Sequence, residues 1–268
     1  MHARTINDQE FAQFQKLIYD IAGISLSSSK KPLVSGRLAK RLAQHGVQNY
    51  GDYFRILQKD GQHGELQIAV DLLTTNETYF FREHKHFEFL RDQILPHYRP
   101  GRPFRVWSAA CSSGQEPYTL AMVLAEKLGE ATWEIFASDI STRVLDRART
   151  GQYALEQAEK VPKHYLNRYC LKGTGAQEGT FIVDRALRSR IKFSQINLNQ
   201  SLPNVGEFDV IFLRNVMIYF DADTKRQVVQ RLCGTLRQNG HLIIGHSESL
   251  NGIVDTLPVV QPSIYRKP

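Results

Sequence analysis

Cysteine is scarce: Cys111, Cys170 and Cys233 are scattered through 268 residues, odd in number and without a Cys-x-x-Cys pair. That excludes a disulfide framework and a structural zinc site, and the three thiols read as small core residues. No run of about 18 apolar residues occurs, and Met1–Glu10 is polar, so neither a transmembrane span nor a secretory signal is expected. Internal repeats and low-complexity tracts are also missing. Acidic residues are in deficit, 27 Asp+Glu against 34 Lys+Arg for a net charge of +7. The imbalance favours an acidic partner, whether nucleic acid, anionic lipid or an acidic protein surface. What is present is enough apolar material, 42% of residues with 23% charged, for at least one sizeable core. The expectation is a soluble, cytoplasmic protein with no membrane insertion.

Up to about residue 95 the apolar pattern is helical. Phe11, Phe14, Leu17, Ile18 and Ile21 fall three to four residues apart, with Asn7 as N-cap, Glu10 three residues later and Gly23 at the stop. A second helix is predicted from about Pro32 to His45, with Val34, Leu38 and Leu42 as its apolar stripe and Arg37, Lys40 and Arg41 as a basic cluster beside it. Further helical patterns run over residues 50–58, 65–73 and 86–95. Residues 96–103, with three prolines and a glycine, read as an interdomain linker. From 104 to 268 short apolar runs (104–108, 133–138, 191–194, 208–213, 242–245) alternate with helical stretches (117–128, 142–149, 221–236). That alternation predicts βαβ units and a mostly parallel sheet covered on both faces. A turn-rich piece, Lys172 to Gly179, followed by strand-like residues 180–184, predicts a small antiparallel β-subdomain inserted at about 165–191.

In an open α/β sheet, ligands bind beyond the carboxyl ends of the strands. After the first predicted strand comes Ala109-Ala-Cys-Ser-Ser-Gly-Gln-Glu-Pro117, a turn of small residues leading into a helix. After the second stands Asp139, 25 residues past Gly114, placed to accept hydrogen bonds from a ribose. Asn197-Leu198 follows the third strand and suits an adenine edge and face; Arg214-Asn215 follows the fourth. Each feature alone is also ordinary turn or capping chemistry, but the four fall in register. The first turn has one glycine and ends in Glu116 rather than forming Gly-x-Gly-x-x-Gly. A carboxylate there repels a pyrophosphate and favours a cofactor bearing an amine and a sulfonium, which argues for S-adenosylmethionine over a dinucleotide.

Four segments carry a family resemblance: Leu73-Thr-Thr-Asn-Glu-Thr-Tyr-Phe-Phe-Arg-Glu83, Ala110-Cys-Ser-Ser-Gly-Gln-Glu-Pro-Tyr-Thr-Leu-Ala-Met122, Arg214-Asn-Val-Met-Ile-Tyr-Phe220 and Gly245-His-Ser-Glu248. Together they resemble the chemotaxis receptor glutamate methyltransferase family, CheR, over nearly the whole chain. The resemblance implies a Rossmann-like, class I S-adenosylmethionine-dependent methyltransferase domain with a β-subdomain insertion, preceded by an all-helical domain that docks substrate and covers the cofactor. It implies methyl transfer to glutamates on the cytoplasmic helices of methyl-accepting chemotaxis receptors, with S-adenosylhomocysteine as product. Asn76, Thr78, Arg82, Glu116, Asp139, Asn197, Leu198, Arg214 and Asn215 match the cofactor-lining positions. Gln115 departs from many relatives, which carry an acidic residue there, but Glu116 remains. Some members grip a C-terminal pentapeptide of the receptor by adding a strand to the β-subdomain, and others do not; the sequence leaves both open. The resemblance implies a monomer, and no feature of the sequence excludes self-association.

A γ-carboxylate with an ordinary pKa near 4.3 is already an anionic nucleophile at neutral pH, so esterification calls for placement more than for acid or base help. On the resemblance, Arg82 holds the target carboxylate or the cofactor's own carboxylate. Tyr219 either orients the acceptor through its hydroxyl or packs at a helix edge. Arg37, Lys40 and Arg41 are assigned to docking of acidic receptor helices. Gly245-His-Ser-Glu-Ser249 superficially resembles Gly-x-Ser-x-Gly, yet its last position is serine and no elbow with partners in order follows. His84 and His86 lie two apart, on different helix faces, with no carboxylate at metal spacing, so no metal is expected. A nucleic-acid methyltransferase is disfavoured by the lack of an aromatic strand platform or flipped-base motif. A non-catalytic adaptor would show a damaged cofactor set, which this chain does not.

Overall fold

A computed structural model describes residues 5–59 and 64–268, and these fall into two compact units. The first runs to Thr75 and includes Tyr219–Thr224; the second comprises Asn76–Ile218 and Lys225–Pro268.

In the first unit, helix α1 (Asp8–Ala22) starts with a capping box. Asn7 Oδ1 accepts from the Glu10 amide at 2.8 Å, and Glu10 accepts from the Asn7 amide at 2.9 Å. Gly23 closes the helix at φ 70°, the left-handed conformation that glycine adopts without a Cβ penalty. Helix α2 (Lys31–Gln44) carries Pro32 in its first turn and buries Val34, Leu38 and Leu42; α3 (Tyr50–Lys59) and α4 (Glu65–Leu73) complete the bundle. Phe14, fully buried, sits at the centre with its ring 6.4 Å from Tyr50, 6.3 Å from Tyr53 and 5.5 Å from Phe54. Tyr219–Thr224 joins this unit through a bridge between Ile24 and Phe220 and a bond from the Ser25 amide to the Tyr219 carbonyl.

The second unit contains strands β1 (Phe104–Ser108), β2 (Trp133–Asp139), β3 (Gln152–Ala154), β4 (Cys170–Lys172), β5 (Thr180–Val183), β6 (Ile191–Gln195), β7 (Phe208–Leu213), β8 (Leu236–Ile244), β9 (Val259–Gln261) and β10 (Ile264–Arg266). The main sheet has the order β6-β2-β1-β7-β8-β10-β9, parallel from β6 to β8 with an antiparallel end. The strand order reverses between β1 and β7, which is the topological switch point of a doubly wound, Rossmann-like sheet. Helices α5 (Lys85–Phe89), α6 (Gln115–Leu128), α7 (Thr142–Thr150), α8 (Lys163–Tyr169), α9 (Arg185–Arg188) and α10 (Ala222–Thr235) follow in chain order, with α6 on β2 and α7 on β2 and β6.

Three boundaries differ from the sequence expectation. The units divide at Thr75/Asn76 rather than at residue 95, because Phe80, Phe87, Leu90, Ile94 and Leu95 are buried in the core of the second unit, with Phe87 stacked on Phe212 of β7 at 5.7 Å. Residues 96–103 are not an interdomain linker but a loop of that unit. The Tyr98 hydroxyl donates to the Arg102 carbonyl at 2.7 Å, and Arg102 forks onto Asp209 at 2.7 and 3.0 Å. The inserted sheet, β3-β5-β4, begins at Gln152, ahead of the expected residue 165. The strands β3, β9 and β10 are three residues each, too short to show a period of two.

Candidate active site

At the carboxyl end of β1 the chain turns through Ser112 (φ 48°) and Gly114 (φ 96°) before α6. Gly114 is required there: a Cβ would stand 2.8 Å from the Tyr153 hydroxyl and 2.9 Å from the Ala148 Cβ, at a backbone angle that other residues rarely adopt. This tight turn brings the Ser112 amide to 2.9 Å from Asp139 Oδ2 at the end of β2, while the Ser141 amide donates to Oδ1 at 3.0 Å. Asp139 is 8% exposed. A carboxylate has about four lone-pair sites, so these two amides are compatible with ribose hydroxyls on the same group. Ser112 Oγ donates to the Asn76 carbonyl at 2.8 Å and so ties the segment after Asn76 to the turn.

Glu116, in the first turn of α6, accepts from Ser108 Oγ at 2.7 Å and from Arg214 Nη1 at 2.8 Å. Burial pushes its carboxyl above the ordinary range, against the opposing pull of Arg214 and Ser108. Arg214, buried at the end of β7, also donates through Nη2 to Glu83 at 3.0 Å and to the Arg82 carbonyl, and its guanidinium lies 5.3 Å from the Phe87 ring centre. Glu83 further accepts from Asn215 Nδ2 at 3.0 Å and from the His246 amide at 3.1 Å. Burial favours its protonation, but Asn215, the Arg214 charge and the His246 amide outweigh that and hold the carboxyl down to about 2. Glu116 is therefore not the lone charge the sequence suggested. Two carboxylates share one guanidinium, and the node keeps its bias toward a cationic ligand group.

Glu248 performs a second bridging task. Its carboxylate accepts from the Asn215 amide at 2.9 Å, the Gly245 amide at 2.7 Å and the Ile218 amide at 3.2 Å, locking the loops after β7 and β8 together. At the end of β6, the Ile196 amide bonds the Asp139 carbonyl at 3.1 Å, Asn197 Oδ1 caps its own turn through the Asn199 amide at 3.0 Å, and Leu198 is buried. Arg82 Nη1 donates to the Glu77 carbonyl at 2.8 Å, with its guanidinium 5.8 Å from the centre of the Tyr79 ring. Thr78 is half-buried on the same segment.

The second unit thus holds two hydrogen-bonded groups at the strand ends: Asn76 and Asp139 meet through Ser112, with Asn197 and Leu198 following the Ile196 amide that bonds the Asp139 carbonyl, and Glu116, Arg214, Asn215 and the Arg82 carbonyl meet around Glu83. Tyr219 and the basic cluster lie in the first unit. There Arg37 caps the end of α4, donating to the Leu73 and Thr74 carbonyls at 3.1 and 2.9 Å. Arg41 pairs with the buried Glu65 at 2.8 Å, and Tyr53 donates to the same carboxylate at 2.6 Å. Lys40 is exposed. Two of the three cluster residues are thus tied into the bundle's own interior.

Sequence reasoning missed Glu83 and the bridging role of Glu248, although both stand inside the recognised segments, and it gave His86 no carboxylate neighbour, whereas Glu83 lies 3.5 Å from its Nδ1. The partners that define Glu83 lie more than 130 residues away, and two of the three donors to Glu248 lie 30 or more away, which spacing does not reveal. Glu83, His86 and His246 bring potential ligand atoms within 4.8 Å of one another. The Glu83 carboxylate there is already filled by Arg214, Asn215 and the His246 amide, and a guanidinium at 3.0 Å opposes a cation, so the cluster is read as a hydrogen-bonded node.

Two buried polar atoms at this site, Ser141 Oγ and Arg214 Nε, have no hydrogen-bond partner. Buried polar groups are normally paired, so one donor beside Glu116 and one hydroxyl beside Asp139 fit a polar, adenosine-type group with an α-amino acid end.

Comparison with known proteins agrees with this geometry. Residues 76–265 match the family described as CheR methyltransferase, SAM binding domain, and residues 9–74 match CheR methyltransferase, all-alpha domain. The chain is 42% identical over 263 residues to the chemotaxis protein methyltransferase of Escherichia coli K12, covering 97% of this chain and 91% of the relative. It is 43% identical over 244 residues to chemotaxis protein methyltransferase 2 of Pseudomonas aeruginosa, covering 90% and 86%. To the chemotaxis protein methyltransferase of Salmonella typhimurium it is 40% identical over 263 residues, covering 97% and 90%.

Proposed function

The chain belongs to the CheR methyltransferase family, and from that premise we infer an S-adenosylmethionine-dependent protein-glutamate O-methyltransferase of chemotaxis. It forms γ-glutamyl methyl esters on the cytoplasmic helices of chemoreceptors and works in the cytoplasm; no helix among the described residues is long and apolar enough to cross a membrane. The observation that carries the reading is that Asp139, held by the Ser112 amide, and the Glu116–Arg214 pair with Asn215 stand at neighbouring strand ends around the topological switch point, with two unpartnered buried polar atoms beside them.

When bound, the cofactor supplies an electrophilic methyl on a sulfonium. Asp139 is assigned to the ribose hydroxyls, Asn197 and Leu198 to the adenine edge and face, and Glu116, Arg214 and Asn215 to the methionyl end together with Asn76 and Thr78. Arg82 holds the acceptor carboxylate. Tyr79, 44% exposed, has the Arg82 guanidinium and the Lys160 ammonium 5.8 and 5.9 Å from its ring centre, so two cations border the approach of an anionic side chain. Tyr219 orients the acceptor through its hydroxyl. The acceptor is ionised at neutral pH without help, so these residues contribute alignment and exclusion of water.

Receptor recognition has two further parts. Lys40, exposed on α2, steers acidic receptor helices, with Arg37 and Arg41 fixing the helix that presents it. The edge strand β4, whose Leu171 is 60% exposed, accepts a receptor C-terminal peptide by strand addition.

Calorimetry with S-adenosylmethionine and S-adenosylhomocysteine tests the site. Both ligands bind the wild type, and Asp139→Ala weakens them by about tenfold or more through lost ribose bonds and two buried amides left unpaired. No binding of either ligand to the wild type would leave a receptor adaptor as the better reading.

A further inference from the structure

We propose that Glu83 is a positioning residue that fixes the backbone from which Arg82 reaches the acceptor carboxylate. The inference rests on the methyl-transfer reading above and assigns a role to a residue that contacts neither cofactor nor acceptor.

Arg82 sits between two residues in the left-handed region, Phe81 at φ 57° and Glu83 at φ 56°. Neither is glycine, so the surroundings must impose this turn. On the Phe81 side the anchor is apolar: its amide bonds Thr119 Oγ1 at 3.2 Å, and its ring stacks on Tyr165 at 5.2 Å and meets Phe87 at 5.8 Å. On the other side the anchor is the Glu83 carboxylate, which gathers donors from the loops after β7 and β8: Arg214 Nη2, Asn215 Nδ2 and the His246 amide, all at 3.0–3.1 Å. Arg214 Nη2 also bonds the Arg82 carbonyl, so the guanidinium that Glu83 holds grips the Arg82 backbone directly. With both neighbours and its own carbonyl fixed, Arg82 has only its side chain left to move. The side chain lies against the Glu77 carbonyl and the Tyr79 ring, and it can turn toward an anion from a fixed Cα.

The charge of Glu83 matters as well as its shape. A glutamine that keeps its oxygen for Asn215 turns an N–H donor toward Arg214 and the His246 amide, both of them donors, so Arg214 leans wholly on Glu116 and loosens its grip on the Arg82 carbonyl.

The test is a double-mutant cycle on the full chain, with receptor cytoplasmic fragment as methyl acceptor, run after the wild type has been shown to bind S-adenosylmethionine and to label the fragment. Glu83→Gln is expected to lower kcat by about tenfold, more than the loss in cofactor affinity that follows from loosening Arg214 and Asn215. Glu83→Asp is expected to restore part of kcat. In an Arg82→Ala background, with cofactor saturating, Glu83→Gln is expected to have almost no further effect on kcat, because its contribution to that step passes through Arg82. Glu83→Gln with wild-type kcat, or effects of the two substitutions that simply multiply, would overturn the proposal. A general loss of folding shows in thermal unfolding and in the cofactor Kd of Glu83→Asp, and an equal loss in both variants would also count against it. A wild type that binds no cofactor contradicts the methyl-transfer reading itself and is seen before any variant is made.

Discussion

Arg214 and Glu116, 98 residues apart in the chain, meet at 2.8 Å at the switch point of the sheet, where the end of β7 faces the start of α6. Burial opposes ionisation of Glu116, and the Arg214 charge supports it. With Glu83 on the other side of the guanidinium, one buried cation is shared by two carboxylates.

Removing that cation is expected to be severe. Arg214→Ala leaves the carboxylates of Glu83 and Glu116, only 13% and 12% exposed, without their shared partner, at a cost of up to about 3–5 kcal/mol in unfolding free energy. Arg214→Lys keeps the charge but cannot contact Glu116, Glu83 and the Arg82 carbonyl together, and falls between. Urea unfolding followed by calorimetry with S-adenosylmethionine checks both parts; an Arg214→Ala protein as stable as wild type contradicts the ion node.

Gly114→Ala is expected to destabilise by about 1–3 kcal/mol, because alanine is strained at φ 96° and its Cβ collides with Tyr153 and Ala148. Since the same turn aims the Ser112 amide at Asp139, cofactor affinity should fall in parallel. A destabilised variant with unchanged affinity would show that the turn supports the fold alone.

The pH dependence follows from two histidines kept neutral by burial. Burial and the Arg214 and His246 charges push His86 down to about 3; burial and Arg266 push His241 down to about 4. Between the ordinary value near 6.5 and these values the unfolded chain binds protons that the folded chain does not. Stability is therefore full above that window and falls as pH is lowered through it. Glu83 adds a loss below the ordinary carboxylate range, as pH falls toward its value of about 2. Thermal unfolding from pH 7.5 to 4.5 measures the slope, and His241→Gln should flatten it; an unchanged slope removes His241 from the explanation.

In the helical unit, charge and support separate. Arg41→Ala is expected to destabilise the bundle, since it strips the buried Glu65 of its cation. The Glu65 carboxyl, favoured for protonation by burial, is held down to about 2 by Arg41, Tyr53 and His45. Lys40→Glu is expected to leave unfolding unchanged and to raise the KM for receptor by roughly threefold to tenfold, more at low salt than at high salt. A Lys40→Glu protein with wild-type KM at low salt excludes electrostatic docking by α2.

Local signals in the sequence transferred well where the cause is local. Asn7, Glu10 and Gly23 bound α1 as expected, and the long apolar runs became β1, β2, β6 and β7. Asp139 and Arg214-Asn215 stand at strand ends because alternation locates strand ends. Where the cause lies in a distant partner, the sequence was silent. The helical period of residues 86–95 shows a helix but not which core it joins, and Phe87 joins β7 through Phe212. Arg41 looks like a surface charge until Glu65, 24 residues on, is folded against it. Glu248 reads as a turn residue, and its three backbone donors come from two loops that only the sheet brings together.

The central claim is esterification of glutamate, and one measurement addresses it directly. The protein is incubated with methyl-labelled S-adenosylmethionine and a receptor cytoplasmic fragment, beside the same fragment with its acceptor glutamates replaced by glutamine. Label that appears on the first fragment, is released as methanol by mild base and is lost from the second is the predicted result. Base-stable label, or label that persists on the glutamine fragment, would contradict it.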